Sequence, residues 1–333
     1  THGLHNYPAM FIPQLARRIL LNCSQTGDTI CDIFCGSGTA LVESRLLGRN
    51  ACGIELNPLA VLIAKVKTTP IKPEILQKTF LSLLSEIKDY KPKSDELPKF
   101  LNIDFWFKEN VVYELAKIKK CINNLKNKDI KDFLMVPFSE TVRYASNTRN
   151  GEFKLYRIPQ EKLKDHNPDV ISIFKKRVDN NIARMQEFYN DVDNKTRVTI
   201  IQGDSTKEYD IEDESIDCIL TSPPYGDSRT TVAYGQFSRL SLQWLDLIRD
   251  GELQLDSQLI GGRADQKIEN NLNSKSLTKS LKLIEQEDPK RAKEVLAFYI
   301  DLNKAMIQAH RILKKNKYFC VVIGNRTVKK VKL

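Results

Sequence analysis

Residues 28–56, DTICDIFCGSGTALVESRLLGRNACGIEL, alternate apolar runs with a helical pattern, and this alternation decides the fold. The run 28–34 predicts a strand, 39–47 predicts a helix, and 50–56 predicts a second strand. A further helix is predicted at 58–67, with a proline at its start. The order strand, helix, strand, helix is typical of a parallel sheet with covering helices. We therefore predict an α/β fold.

The α/β pattern is interrupted in the middle of the chain and then returns. Residues 69–195 are rich in Lys, Glu, Leu and Asn at helical spacing and predict a mostly helical insertion. Further elements are predicted as strands at 198–202, 216–220 and 318–323, as helices at 12–21 and 295–313, and as a loop with a helix at 251–293. We expect a doubly wound, mostly parallel sheet of the Rossmann-like type, built from residues 1–68 and 196–333.

The composition of the chain indicates which classes of binding partner are expected. A formal net charge of +10 over 333 residues suits a polyanionic partner such as DNA, although a basic, well-solvated surface explains the charge alone at least as well. Seven cysteines without a C-x-x-C pair favour neither a disulfide framework nor a zinc site, so we expect buried thiols in a reducing cytoplasm and no metal. Because no apolar run reaches membrane-spanning length, a membrane partner is not expected.

The first strand runs into the segment 32–39, DIFCGSGT, whose glycines allow a ligand to approach the backbone where a Cβ would clash. A dinucleotide fingerprint requires a third small residue, but Leu41 occupies that position, which disfavours a nicotinamide cofactor. Glu55 ends the next strand, where a carboxylate can accept both ribose hydroxyls of a nucleoside; the alternative is a surface acid that caps the following helix. Asp204, after the strand 198–202, can accept a hydrogen bond from an adenine amino group.

The hexapeptide 221–226, TSPPYG, directly follows the predicted strand 216–220. Together with the upstream glycine turn, it resembles the catalytic loop of the S-adenosylmethionine-dependent DNA amino-methyltransferases, in which Ser, Asn or Asp precedes Pro-Pro-Tyr. The Ser form is typical of enzymes that methylate cytosine N4, and Asp or Asn is more typical of those that methylate adenine N6. The resemblance covers the α/β core, roughly half of the chain, and excludes 69–195 and 251–293.

The resemblance implies S-adenosylmethionine as the cofactor. The cofactor-binding residues that it implies are Tyr7, Asp32, Phe34, Gly36, Gly38, Thr39, Glu55, Asn57, Asp204 and Ser205. In this assignment Glu55 holds the ribose, Asp204 contacts the adenine, and the segment 5–8, HNYP, lines the methionine end. The resemblance also implies an antiparallel hairpin after the strand 318–323, for which the residues up to Leu333 are too few.

The implied catalytic residues are Ser222, Pro223, Pro224 and Tyr225, and their chemistry suits an exocyclic base amine. Such an amine is a poor nucleophile because its lone pair is delocalised into the ring. The Ser222 side chain and the Pro223 carbonyl can accept its two N–H groups, and the two prolines hold that carbonyl in place. Tyr225 can stack on the base once it has left the duplex. We expect direct transfer without a covalent intermediate, and no Pro-Cys dipeptide is present for C5 methylation.

Basic and aromatic residues are interleaved in the segment 139–159 of the insertion, which has a turn at Asn150-Gly151. Arg and Asn side chains can recognise guanine and adenine edges, and aromatic rings can stack on bases. The candidates for contact with DNA are Arg143, Asn147, Arg149, Lys154, Arg157 and Arg229. For any one of them, a solvated basic face around a hairpin is an equally good interpretation.

These observations favour one function and leave three alternatives. We expect methylation of cytosine N4 at a specific site in double-stranded DNA after base flipping, in a prokaryotic cytoplasm and beside a restriction endonuclease that acts on the same site. The insertion 69–195 is a possible target-recognition subdomain. The alternatives are adenine-N6 methylation of DNA, guanine-N2 methylation of RNA, and a subunit that binds cofactor and DNA without turnover.

Overall fold

The sheet of the protein is fully parallel. The computed structural model describes residues 1–226, 232–248, 255–262 and 268–333. Its main strands are β1 (Thr29–Asp32), β2 (Asn50–Glu55), β3 (Val198–Gln202), β4 (Ile216–Thr221) and β5 (Leu313–Val321). They lie in the order β3-β2-β1-β4-β5, and every neighbouring pair is parallel. The predicted doubly wound α/β fold is confirmed, with the strand order reversing between β1 and β4.

Helices precede, connect and cover these strands. They are α1 (Pro13–Cys23), α2 (Thr39–Leu46), α3 (Pro58–Thr68), α4 (Pro73–Asp89), α5 (Ile103–Trp106), α6 (Glu109–Asn123), α7 (Lys128–Ala145), α8 (Gln160–Leu163), α9 (Val170–Asp191), α10 (Tyr234–Trp244), α11 (Leu255–Gln258), α12 (Lys275–Glu287) and α13 (Pro289–Ile312). Short 3-10 turns occur at His2–Leu4 and Ser94–Glu96. In the part of the chain that the structure describes, no helix is long and apolar enough to cross a bilayer.

Among the element boundaries that differ from the sequence prediction, two have clear local reasons. The first strand ends at Asp32 rather than at residue 34, because the Asp32 carboxylate accepts a hydrogen bond from the backbone N–H of Phe34 and turns the chain. The helix predicted at 295–313 begins earlier, at Pro289, since the side chain of Asp288 caps it and proline suits the first helical position.

Apolar side chains cover both faces of the sheet. On one face α13 packs its Ala305, Ala309 and Ile312 against the β1–β2–β4 region, and all three are fully buried. On the other face Ala16 and Leu20 of α1 contact the sheet together with α2. Five of the seven cysteines are buried in these layers or in the helical insertion, and all seven are free thiols, as the sequence indicated for most of them.

The helical insertion shares its core with the helices next to the sheet. Helices α4 to α9 form it, and one apolar cluster joins their side chains to those of α3 and α10. Trp244 of α10 is fully buried, with its ring centroid 6.2 Å from that of Phe138 on α7 and 5.6 Å from that of Phe107. The insertion is therefore fixed directly to α10, the next described helix after the segment 221–226.

The residues after β5 form a short antiparallel hairpin, β6 (Thr327–Val328) and β7 (Val331–Lys332), which is separate from the main sheet. Val328 packs with α12 and α13 in a small apolar cluster. The sequence predicts too few residues for the antiparallel hairpin that the resemblance implies after this strand, and the hairpin observed here consists of two strands of only two residues each. The hairpin adds no strand to the parallel sheet.

Candidate functional site

A pocket lies at the carboxyl ends of β1 to β4, at the point where the strand order reverses. Open α/β sheets bind ligands at this position. The N-terminal segment 7–11 and residues 258–260 also line the pocket. The residues that the sequence predicted and that line it are Tyr7, Asp32, Phe34, Gly36, Thr39, Glu55, Asp204, Ser205, Ser222 and Pro224.

The two glycines of the turn after β1 have different roles. Gly36 has a φ of +48°, and a Cβ placed on it would meet nothing within 4 Å. Gly38 has a φ of +81°, and its Cβ would lie 2.9 Å from the Cβ of Ala64 on α3. Gly36 therefore leaves the pocket open, while Gly38 lets α2 begin close against α3 and does not itself line the pocket.

Asp32 and Glu55 are carboxylates held by the backbone of the site. Asp32 Oδ1 accepts hydrogen bonds from the Phe34 N–H, at 3.1 Å, and from the Thr221 hydroxyl, at 2.7 Å. Burial raises the pKa of Asp32 to about 7 against the effect of these donors, and the nearby Glu55 raises it further. Glu55 accepts from the N–H groups of Gly36 and Asn57, at 2.9 and 2.8 Å, and burial raises its pKa as well.

The pocket has a negative lining. Besides Asp32 and Glu55 it contains Asp204, whose Oδ1 accepts hydrogen bonds from the N–H and hydroxyl of Thr206. Among the described residues that line the pocket there is no Lys, Arg or His. The described ranges also contain no group of three or more His, Cys, Asp or Glu arranged to hold a metal ion. Such a lining suits a ligand that carries a positive charge.

Asn57 is fully buried and holds three parts of the site together. Its Nδ2 donates to the Tyr7 hydroxyl, at 2.9 Å, and to the Ser238 hydroxyl of α10, at 2.7 Å. Its Oδ1 accepts from the Leu59 N–H and so caps α3. The expectation that Asn57 contacts the cofactor is corrected, because all of its described hydrogen bonds are internal and it does not line the pocket.

Replacing Asn57 by Ala is expected to lower the free energy of unfolding by about 2–4 kcal/mol. The change removes the cap of α3 and leaves the hydroxyls of Tyr7 and Ser238 without a buried partner. Urea unfolding followed by circular dichroism measures the loss. Asn127→Ala is the matched control, since Asn127 caps α7 through Ile130 and is expected to cost only about 1 kcal/mol. Equal losses in both variants would contradict the role of Asn57.

The segment 221–226, which the sequence predicts to be the catalytic loop, begins at the last residue of β4. The Ser222 hydroxyl donates to the Val322 carbonyl, at 3.0 Å, and lies 3.4 Å from the Tyr225 hydroxyl. The Tyr225 ring is 43% exposed and packs on Gly324, where a Cβ would lie 3.0 Å from it. Pro223 and Tyr225 do not line the pocket, whereas Ser222 and Pro224 do. The loop therefore meets the pocket at Ser222 and faces outward at Tyr225.

Several residues of the site gave no clear signal in the sequence. Tyr234 of α10 lines the pocket and stacks on Tyr7, with ring centroids 5.9 Å apart. Leu259 and Ile260 also line it, although they lie in the polar stretch 251–293. Their apolar character is too local for a periodic pattern, so only the tertiary structure brings them to the pocket.

Two candidates for contact with DNA are buried. The guanidinium of Arg143 lies over the Phe237 ring, 4.5 Å from its centroid, and donates to the backbone carbonyls of Phe237 and Glu152. The Asn147 amide donates to the Phe105 carbonyl, at 3.2 Å. Both side chains are engaged inside the protein, which corrects the expectation that they contact DNA. Arg143 instead ties the segment around Glu152 to α10.

The other candidates lie on a hairpin-like segment, residues 148–157, which we call the basic hairpin. Thr148 and Arg157 form an antiparallel bridge, and the turn carries Arg149 and Lys154. The Arg157 guanidinium lies 4.3 Å from the centroid of the Phe105 ring. Phe153 is 53% exposed, and its ring centroid lies 6.2 Å from that of Phe237. Arg229 lies outside the described residues.

Comparisons with known proteins point to one family. A family model described as a DNA methylase, N6_N4_Mtase, matches residues 1–66. The Type II methyltransferase M.MvaI of Kocuria varians is 45% identical over an aligned length of 356 residues, which covers all of this chain and 78% of that protein. The Type II methyltransferase M.MjaII of Methanocaldococcus jannaschii is 40% identical over 90 residues, or 27% of this chain and 17% of that protein.

Among solved structures, the rRNA methyltransferase aviRa of Streptomyces viridochromogenes aligns with a TM-score of 0.26 and 14% identity. The alignment covers 73% of this chain and 74% of that chain. A TM-score this low adds nothing to the fold described from the strands.

Proposed function

Since the chain belongs to the Type II DNA methyltransferases of the N6/N4 family, we propose that it methylates the N4 amine of cytosine at a specific site in double-stranded DNA. The observation that carries this proposal is the position of Ser222 at the pocket, directly after β4. In the family pattern a Ser before Pro-Pro-Tyr is typical of cytosine-N4 enzymes. We further propose that the protein acts in a prokaryotic cytoplasm beside a restriction endonuclease for the same site.

S-adenosylmethionine is the proposed cofactor, and the residues of the pocket fit it. Three carboxylates and no basic side chain line the described pocket, which suits a sulfonium cation. Glu55 ends β2 and Asp204 follows β3; we propose that Glu55 accepts from the ribose hydroxyls and Asp204 from the adenine amine. The rings of Tyr7 and Tyr234 add aromatic faces that favour a cation. When bound, the cofactor supplies an electrophilic methyl group.

The hydrogen bond that Ser222 donates leaves its hydroxyl oxygen available to accept a hydrogen bond from the target amine. Its hydroxyl proton is directed to the Val322 carbonyl, so the lone pairs of Oγ remain for an N–H of the target amine. The Pro223 carbonyl is proposed to accept the second N–H, and the adjacent Pro224 restricts its motion. Together these acceptors favour a tetrahedral amine nitrogen, whose lone pair attacks the methyl group directly. The exposed Tyr225 ring is available to stack on the flipped base.

DNA is proposed to bind across the basic hairpin and the mouth of the pocket. The net charge of +10 supports a polyanionic substrate. The exposed Arg149 and the rings of Phe153 and Tyr156 give the hairpin the mixture of charge and aromatic surface that suits nucleic acid. Arg143 links this hairpin to α10, whose Tyr234 lines the pocket. This link supports the proposal that the hairpin contacts DNA near the target base.

Changing Arg149, Lys154 or Arg157 to Gln is expected to weaken DNA binding and to lower the slope of log K against log salt by about one per residue. The affinity for the cofactor should stay the same, because none of the three lines the pocket. Fluorescence anisotropy with a labelled duplex at several salt concentrations measures the slope. Lys315→Gln is the control, since Lys315 is exposed near the amino end of β5, at the opposite edge of the sheet. An unchanged slope in all three hairpin variants would remove the hairpin from the interface.

The proposed base is tested by identifying the methylated nucleoside. The protein is incubated with mixed-sequence duplex DNA and methyl-labelled S-adenosylmethionine, and the digested nucleosides are separated by mass spectrometry. Label in N4-methylcytosine is the expected result. Label in N6-methyladenine would agree with the family assignment but would show that the target base is adenine and not cytosine. No label in any DNA nucleoside, with cofactor binding intact, would overturn the proposal in favour of an RNA substrate or a subunit without turnover.

A further inference from the structure

Lys67 is a fully buried lysine beside the cofactor turn. It lies in the last turn of α3, and its Nζ is 3.0 Å from the Ser37 hydroxyl oxygen and 3.7 Å from the Met10 sulfur. Among the described residues, no carboxylate lies within ion-pair distance of it. A buried ammonium without a paired anion is destabilising, so a position of this kind calls for an explanation beyond packing.

Both partners of Lys67 belong to the pocket. Ser37 lies between the two glycines of the turn, and Met10 follows the segment that the family resemblance assigns to the methionine end of the cofactor. Lys67 therefore does not line the pocket itself but contacts two residues that do, Met10 and Ser37, at the end that the family resemblance assigns to methionine. No described residue of the wall itself carries a positive charge. The amino-acid portion of S-adenosylmethionine brings a carboxylate, which requires a hydrogen-bond donor or a nearby cation on burial.

The hydrogen bond between Lys67 and Ser37 has a direction. The ammonium group can only donate, so the Ser37 oxygen accepts and its own proton is free to donate elsewhere. Burial lowers the pKa of Lys67 to about 7; the charge of Arg184 lowers it further, and that of Glu140 opposes the shift. An anion near Ser37 stabilises the protonated amine, and the protonated amine in turn stabilises the anion.

We propose that Lys67 is a positioning residue which, through the Ser37 hydroxyl, holds the carboxylate of the cofactor's amino-acid portion. This inference rests on the proposed cofactor. Lys67 supplies the positive charge that the pocket wall lacks, and Ser37 supplies the hydrogen bond that reaches the ligand. The arrangement fixes the methionine end of the cofactor and leaves the chemistry of the reacting methyl group to the catalytic loop.

The test compares two ligands that differ only in the carboxylate, S-adenosylhomocysteine and its decarboxylated counterpart S-adenosyl-3-thiopropylamine. Isothermal titration calorimetry gives their dissociation constants for the whole chain and for Lys67→Met, which keeps an unbranched side chain only one heavy atom shorter and removes the amine. We expect the variant to bind S-adenosylhomocysteine about 10- to 50-fold more weakly, while binding of the decarboxylated ligand is unchanged or tighter. Ser37→Ala is expected to show the same selective loss.

Thermal unfolding separates this role from a structural one. Because Lys67→Met removes an unpaired buried amine, we expect the variant to melt at the same or a higher temperature than the unchanged protein. Weaker binding of both ligands in equal measure, or a lower melting temperature with no change in ligand preference, would overturn the role of Lys67. Lys65→Met is the control, since Lys65 is on the same helix, pairs with Asp132 at 2.7 Å and should not alter the preference.

The two ligands also distinguish an incorrect cofactor assignment from an incorrect role for Lys67. If the unchanged protein binds neither ligand, the proposed cofactor is wrong and the role of Lys67 falls with it. If it binds both and Lys67→Met and Ser37→Ala retain the preference for the carboxylate, the cofactor stands and only the positioning role is rejected.

Discussion

Replacing Ser222 by Ala should lower kcat for methyl transfer by about 10²- to 10³-fold, the size expected when a group that stabilises a transition state is removed. The dissociation constant of the cofactor should change by less than about threefold, because the lost acceptor serves the target amine. The present hydrogen bond from Ser222 to the Val322 carbonyl is what leaves the oxygen free to accept. Single-turnover kinetics with labelled cofactor and a duplex substrate measure the effect.

Ser205→Ala is a close control for this change. Ser205 also lines the pocket, and its hydroxyl also donates to a backbone carbonyl, that of Ile33. It lies after β3 on the proposed cofactor side, so its loss should raise the dissociation constant of the cofactor and leave kcat at saturating cofactor near its normal value. If Ser222→Ala kept more than about a third of the normal kcat, the catalytic loop would be wrongly assigned.

Changing Asp32 to Asn should remove the preference of the protein for S-adenosylmethionine over S-adenosylhomocysteine. Only the first ligand carries the sulfonium charge, so at pH 8 we expect its dissociation constant to rise by about 10- to 100-fold and that of the second to change little. Asp32 lies at the end of β1 in a pocket whose described lining has no cation to compete for the carboxylate. Titration calorimetry with both ligands gives the ratio.

The pH dependence provides a second readout of Asp32. Its pKa is raised from 3.8 to about 7, so the carboxyl is largely neutral below pH 7, and the preference for the sulfonium ligand should fall as the pH drops from 8 to 6. In the ligand-free protein the folded state binds the extra proton, so this group's contribution to stability should decrease as the pH rises from about 4 to 7. Asp32→Asn should abolish both trends. A preference that stays constant across this pH range would contradict the assignment.

A change at Thr221 can shift the pKa of Asp32 while the carboxyl group itself is kept. Its hydroxyl donates to Asp32 and favours the ionised form, so Thr221→Val should raise the pH at which the ligand preference changes. A shift to lower pH in this variant would be inconsistent with the hydrogen bond.

The strands of the α/β core and most residues of the pocket could be predicted from the sequence because they depend on local signals. The apolar runs at β1 and β2, the glycine turn between Asp32 and Thr39, and Ser222 directly after β4 are each readable from neighbouring residues. Parallel strands then bring their carboxyl ends to one edge of the sheet. This is why most of the predicted cofactor residues line one pocket.

The roles of Asn57, Lys67 and Arg143 could not be predicted, since each depends on contacts between distant segments. Asn57 resembles an ordinary helix cap, and only the structure brings Tyr7 and Ser238 to its amide. Lys67 in the last turn of a helix has the pattern of a solvated residue. A basic side chain that is buried over a ring, as Arg143 is, has the same sequence pattern as one that faces DNA.

The shared core of the insertion has a consequence for how DNA specificity can change among relatives. Phe138 of α7 and Trp244 of α10 pack in one cluster, so the insertion 69–195 is matched to the surfaces of α3 and α10. A foreign segment introduced between β2 and β3 by recombination would meet a surface that it was not selected to cover. If the insertion recognises DNA as proposed, we expect functional chimeras to be recovered only when α10 is exchanged together with it, so that the proposed recognition surface and the surroundings of segment 221–226 are inherited as one block.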